Sequence, residues 1–106
     1  MIARIWHGWT RPDKADTYEQ LLKDEVFPSI AAKGVDGYRG IQLLRRPLGD
    51  EVEFVTIMTF DSWDAVKQFA GDEYEQAYVP DAARAVLTRF DAQSQHYEVQ
   101  ARHDYA

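Results

Sequence analysis

Residues 51–60, Glu-Val-Glu-Phe-Val-Thr-Ile-Met-Thr-Phe, constrain the fold more than any other stretch of the chain. Val52, Phe54, Thr56, Met58 and Phe60 recur at every second position, the period of a β-strand with one face toward a core. Val55 and Ile57 fall between them, where a sheet with a solvated face carries polar groups. The opening stretch, residues 2–9, behaves in the same way, with Ile5 and Trp9 on the face opposite Ile2 and Trp6. A sheet built from such strands has two faces to bury.

The remaining chain supplies helices for one of them. The polar cluster Thr10-Arg11-Pro12-Asp13 ends the first strand. Tyr18, Leu21, Leu22, Val26, Ile30 and Ala31 then follow at spacings of three and four, which predicts an amphipathic helix from Asp13 to about Lys33. Asp13 with Asp16 resembles a capping arrangement, Gly34 suits a left-handed helix end, and Pro28 predicts a kink or break. Gly37 and Gly40 flank the start of a second strand through Ile41, Leu43 and Arg45, and Pro47-Leu48-Gly49-Asp50 makes the turn into residues 51–60. Asp61 is expected to cap a helix through Trp63, Val66 and Phe69 that ends at Gly71. Pro80-Asp81 opens a shorter helical stretch to Leu87, residues 72–80 stay ambiguous, and the alternation of Gln95, Tyr97 and Val99 predicts a last strand over about 92–99.

The order β, α, β, β, α, β predicts an α+β fold, a ferredoxin-like βαββαβ sandwich with a four-stranded antiparallel sheet. It spans residues 1–99 as one domain, followed by a polar tail, 100–106. Every element is then used, so the second sheet face is expected to be covered by another copy, as a homodimer with two sheets closed face to face. A monomer with a few exposed apolar residues is the alternative.

Charge and composition remove several classes of function. The 18 acidic and 12 basic side chains give a net charge of −6, which repels phosphate backbones and anionic lipid, so neither nucleic acid nor membrane is an expected partner. No apolar run approaches the roughly 20 residues needed to cross a bilayer, and the first residues lack the pattern of a signal peptide, so a cytoplasmic location is expected. The absence of cysteine excludes disulfides, thiolate nucleophiles and iron–sulfur clusters. His7, His96 and His103 are too scattered to predict a metal site. Ser29, Ser62 and Ser94 lack the Gly-x-Ser-x-Gly setting of a nucleophile elbow, and no glycine-rich phosphate loop is present.

Four segments carry a family resemblance: Ile5-Trp6-His7-Gly8-Trp9-Thr10 leading into the first helix, Gly37-Tyr38-Arg39-Gly40, Phe60-Asp61-Ser62-Trp63, and His96-Tyr97-Glu98-Val99. Over residues 2–99 the chain resembles the antibiotic-biosynthesis-monooxygenase-like domains of the dimeric α+β barrel superfamily, through diffuse signals rather than a catalytic signature. The resemblance implies a pocket between helices and sheet in each subunit. Some members use it for cofactor-free oxygenation of polycyclic phenols, others for haem degradation, and many have no known activity. The haem-degrading pattern pairs a strand-one asparagine with a helical histidine, whereas this chain has no asparagine and no histidine in a predicted helix. Cofactor-free members also commonly use an asparagine near the substrate. The expectation is a cofactor-independent monooxygenase-like protein for a small aromatic or polyketide-like compound, and the alternative is a non-catalytic dimeric binding or structural protein.

Oxygenation without flavin or metal needs a base or donor that stabilises a substrate anion beside a dry apolar wall. His7 is the candidate base; Arg4 and Arg39 fall in predicted strands, where a charge needs water or a partner, so each is a candidate either to anchor an anion or to bridge a dimer interface, and Arg4 is taken as the catalytic one. Trp6, Trp9, Tyr18, Trp63 and Phe69 are candidates to line an aromatic-substrate pocket, with His96 as a second polar anchor. Each also has a structural reading, since aromatics at strand or helix spacing serve as core and a strand histidine serves as a hydrogen-bonding partner.

Overall fold

The computed structural model describes residues 1–105; Ala106, the last residue of the expected tail, lies outside the described residues. β1 (Ile2–Thr10) leads through a 3-10 turn at Pro12–Lys14 into α1 (Ala15–Leu21), a π-helical segment (Leu22–Val26) and α2 (Phe27–Ala32). The hairpin β2 (Tyr38–Leu48) and β3 (Glu51–Phe60) follows, then α3 (Trp63–Ala70), α4 (Asp81–Arg84), β4 (Leu87–Phe90) and β5 (Gln95–Glu98). Residues 100–105 form no helix or strand.

Of the kink or break expected at Pro28, the break is not found: the first helical rod is continuous, with a local distortion just before the proline. Proline has no N–H to give the carbonyl four residues back. The chain accommodates it by widening the preceding turn, where Phe27 N–H reaches the Leu22 carbonyl in an i→i−5 bond. Buried Ala15, Tyr18, Leu22 and Ile30 therefore stay on one face. Asp13 and Asp16 do not cap this rod: Asp13 contacts Arg11, and Asp16 accepts from Arg45 at 2.9 Å. Nor does Asp61 cap α3, because Arg39 takes its carboxylate; Ser62 Oγ accepts the Ala65 N–H at 3.2 Å instead.

The strands are antiparallel in the order β2-β3-β1, with β4 and β5 both on the far edge of β1. This is the expected ferredoxin-like arrangement with its fourth strand split. Gly8 is opposite Phe90 and Ile5 opposite Gln95, so the two residues Trp6 and His7 face the four residues 91–94, and the surplus bulges out. The ambiguous segment pairs with that bulge: Ser94 N–H donates to Glu75 O at 2.7 Å and Ala77 N–H to Ala92 O at 3.0 Å. Leu87 begins β4 instead of extending α4, and 92–94 lie outside the strands, which corrects both expected boundaries.

On the helix side of the sheet, Val52, Phe54, Met58 and Phe60 are buried together with Ile2. One cluster centres on Tyr18 edge-on to Phe54, ring centres 4.8 Å apart, and another joins Phe60 and Met58 to Ile30 and Val66. The other face carries Ile5, His7, Trp9, Val55 and Ile57, all half-buried, flanked by Leu44 and Tyr97 at 45% and 56% exposure. No helix covers it. Among the described residues no helix is long and apolar enough to cross a membrane.

Candidate functional site

A cavity of about 70 Å³ lies where the two apolar clusters meet. Its floor is Arg4 and Trp6 of β1, Thr56 and Met58 of β3, and Ile41 of β2. Tyr18, Leu22, Val26, Phe27 and Ile30 roof it from the first helical rod, and Phe69, Ser94 and residues 77–80 close the side. The volume is below the roughly 300–1,000 Å³ usual for small-molecule pockets, so a ring-bearing ligand needs one wall to give way. Residues 77–79 belong to no helix or strand, and Tyr78 among them is 64% exposed, so that side has the least regular structure to resist displacement.

Arg4 is the one basic residue of the described chain that is buried, at 4% exposure. Strand alternation puts it on the helix side, in a row with Met58. No carboxylate among the described residues contacts it. One Nη donates to the Tyr74 carbonyl and to His96 Nε2 at 2.9 Å, and the other to the Gln76 carbonyl at 3.2 Å. Of the five donors of a guanidinium, Nε–H and one Nη–H are left without a protein acceptor among the described residues. Burial pulls its pKa down to about 10, which still leaves it charged at neutral pH.

Because Arg4 can only donate, His96 Nε2 must be the acceptor and its ring proton sits on Nδ1. Burial, and secondarily the Arg4 charge, lower the His96 pKa to about 4, so the ring is neutral. In the roof of the cavity, burial raises the Tyr18 phenol well above its usual pKa, and it too stays neutral. Trp6 is held by its Nε1–H, which donates to the Asp91 carbonyl at 2.8 Å. The ring needs Gly8 beside it, since a Cβ there would lie 2.7 Å from Trp6 Cη2.

Of the residues singled out from sequence, Arg4, Trp6, Tyr18 and Phe69 come together around this cavity. His7 and Trp9 do not. They stack on the opposite face, ring centres 6.1 Å apart, with His7 Nδ1 3.2 Å from Asp91 Oδ2. Trp63 and His96 join Tyr74 in a three-ring cluster beside Arg4 and line a separate surface groove. Sequence reasoning missed Tyr74 and Gln76, whose carbonyls hold Arg4, and the 77–80 wall. Nothing in the periodicity of 72–80 marks them.

No protein-family profile and no curated protein matches this sequence. Solved structures match it in fold over nearly its whole length. A candidate antibiotic biosynthesis monooxygenase from Bacillus cereus superposes with a TM-score of 0.71 at 12% identity, covering 100% of this chain and 97% of that one. The haem-degrading protein MhuD of Mycobacterium tuberculosis, solved with two haems in its active site, gives 0.60 at 20% identity over 98% and 100%. SnoaB, a cofactor-independent oxygenase from Streptomyces nogalater, gives 0.54 at 19% over 97% and 95%. The chain is an α+β protein of ferredoxin-like architecture. More narrowly, its fold is that of the antibiotic-biosynthesis-monooxygenase-like proteins.

Proposed function

We propose that this protein is a homodimeric, cofactor-independent monooxygenase-like enzyme for a small aromatic compound bound between helices and sheet. The observation that carries the reading is Arg4, a buried guanidinium with two free donors in an apolar, aromatic-walled cavity. A phenol or anthrone entering there meets a fixed positive charge in a medium of low dielectric, which favours its anion. The substrate proton goes to solvent, since no carboxylate or histidine lines the cavity among the described residues. The electron-rich carbanion then gives an electron pair to dioxygen, forming a C–O bond. Cleavage of the resulting O–O bond with loss of water leaves a carbonyl. Trp6 and Phe69 supply the flat apolar walls, and neutral Tyr18 supplies a hydroxyl in the roof.

Haem, which MhuD binds, does not fit this site. The cavity is far smaller than a porphyrin, and His96, the histidine nearest to it through Arg4, uses Nε2 on that guanidinium. His7 lies across the sheet and has no part in this reading. The same absence of a lining base favours, as the second reading, a module that binds an aromatic metabolite without turning it over.

The second copy is assigned to the uncovered sheet face, where Ile5, Val55 and Ile57 adjoin across β1 and β3.

The deciding assay is oxygen uptake by purified protein, without added cofactor, over anthrones and naphthols. Arg4→Met is expected to lower uptake on the order of 10²-fold, the usual cost of removing one anion-stabilising donor, while His7→Ala keeps it. Equal uptake in Arg4→Met and wild type sinks the proposed role, and binding without uptake selects the second reading.

A further inference from the structure

The chain is acidic overall, and its strand arginines are matched to acids: Arg39 to Asp61, Arg45 to Asp16 and Glu19, Arg46 to Glu53, Arg89 to Glu51. Of the five Lys and Arg residues that pair with no carboxylate among the described residues, two meet at one place. Arg4 and Lys33 contact no carboxylate among the described residues, yet both lie against the ring of Phe69, the guanidinium carbon 5.6 Å and Lys33 Nζ 4.5 Å from its centre. Phe69 is a wall of the cavity. Arg4 is buried on the inner side, whereas Lys33 is exposed and its Nζ also lies 5.4 Å from the ring of Tyr78, on the least regular wall. The ring of one cavity wall therefore carries two cations, one buried and one exposed.

Ring quadrupoles hold such cations in place without neutralising them, so both keep their capacity for an anion. A ligand with a single ionised oxygen uses only the inner charge. A flat ligand with an anionic group at each end uses both.

We infer that the cavity takes a hydroxylated aromatic carboxylate, its ring oxygen toward Arg4 and its carboxylate reaching Lys33 past the wall formed by Phe69 and Tyr78. The inference rests on the reading of this cavity as an aromatic-substrate site and names the charge class of that substrate. Lys33 acts as a specificity residue: it sorts acids from neutral phenols and leaves the chemistry at Arg4 untouched.

The test is titration calorimetry of the full chain with 6-hydroxy-2-naphthoate and with 2-naphthol, which share a ring system and differ in the carboxylate. The acid is expected to bind about fivefold more tightly, the scale of one exposed ion pair. That preference should vanish in Lys33→Gln and in 0.5 M salt on the order of the screening expected there, and persist in Lys14→Gln, a remote control. Equal affinities in the wild type, or an acid preference that survives Lys33→Gln, would overturn the inference while leaving the aromatic site standing. Failure of both compounds to bind would overturn the two together.

Discussion

At the scale of single residues, Arg4 and His96 show how a charge is kept inside a small core. Desolvating a guanidinium is costly unless its N–H groups find acceptors. Here two main-chain carbonyls and one imidazole nitrogen serve, and the imidazole must stay neutral to accept. That requirement has a measurable signature. Unfolded, His96 takes up a proton near its ordinary pKa of 6.5; folded, it resists until about 4. Its contribution to stability is thus present above pH 6.5 and is lost progressively as the pH falls from 6.5 to 4. Denaturant midpoints measured across that window should fall more steeply for the wild type than for His96→Gln; parallel curves would show that His96 is not held neutral. Arg4 was legible as a charge inside a strand that demanded a partner. Two of its three partners were not, because they are the backbone carbonyls of residues 74 and 76, which a residue of any type presents.

At the scale of elements, α3 was expected to be capped by Asp61 and is capped by the adjacent Ser62, a residue type equally suited to the position. Local chemistry does not choose between them. The choice is tertiary: Arg39, across the β2–β3 end of the sheet, takes the Asp61 carboxylate, and the serine is left to satisfy the Ala65 N–H. Ser62→Ala is expected to cost about 1 kcal/mol. Asp61→Ala, which loses only an exposed ion pair, should cost less than that, on the order of 0.5 kcal/mol. Equilibrium urea unfolding of both variants checks the order; the reverse order would return the capping role to Asp61. Likewise, Pro28 signals a fault in helical hydrogen bonding, and a fault is present. Its form, a widened turn at 22–26 in place of a break, follows from packing, since Leu22 and Ile30 must both reach the sheet.

At the scale of the whole molecule, the sheet has one face covered by helices and the other open. The open face is apolar along β1 and β3 and polar at the β4 end, where Arg89 lies over Trp9 at 3.8 Å and pairs with Glu51. A stable pair typically buries about 800 Å² on each partner, and the proposed pairing puts that area on the open face of this sheet. Ile57→Glu puts an unpaired charge in the middle of that face without touching the helix-side core. Sedimentation should find a dimer for the wild type and a monomer for Ile57→Glu, with the circular dichroism of the fold preserved. A monomeric wild type would refute the pairing.

Period and order along the chain determined by themselves that this is an α+β sandwich with a two-sided apolar sheet, because the alternation of residues 2–9 and 51–60 and the three-and-four spacing after Asp13 are local facts. They also placed Arg4, Trp6 and Tyr18 on elements able to face one another. Only the tertiary structure decided which face of the sheet each residue joined in the site. A strand sends alternate residues to opposite sides, so the sequence puts His7 and Arg4 on different faces but does not say which face the helices cover. Their packing does, and it encloses Arg4 while leaving His7 outside. The split of the last strand is tertiary for the same reason: two surplus residues opposite Trp6 and His7 have to bulge, and the segment 74–77 settles against that bulge and brings Arg4 its carbonyls.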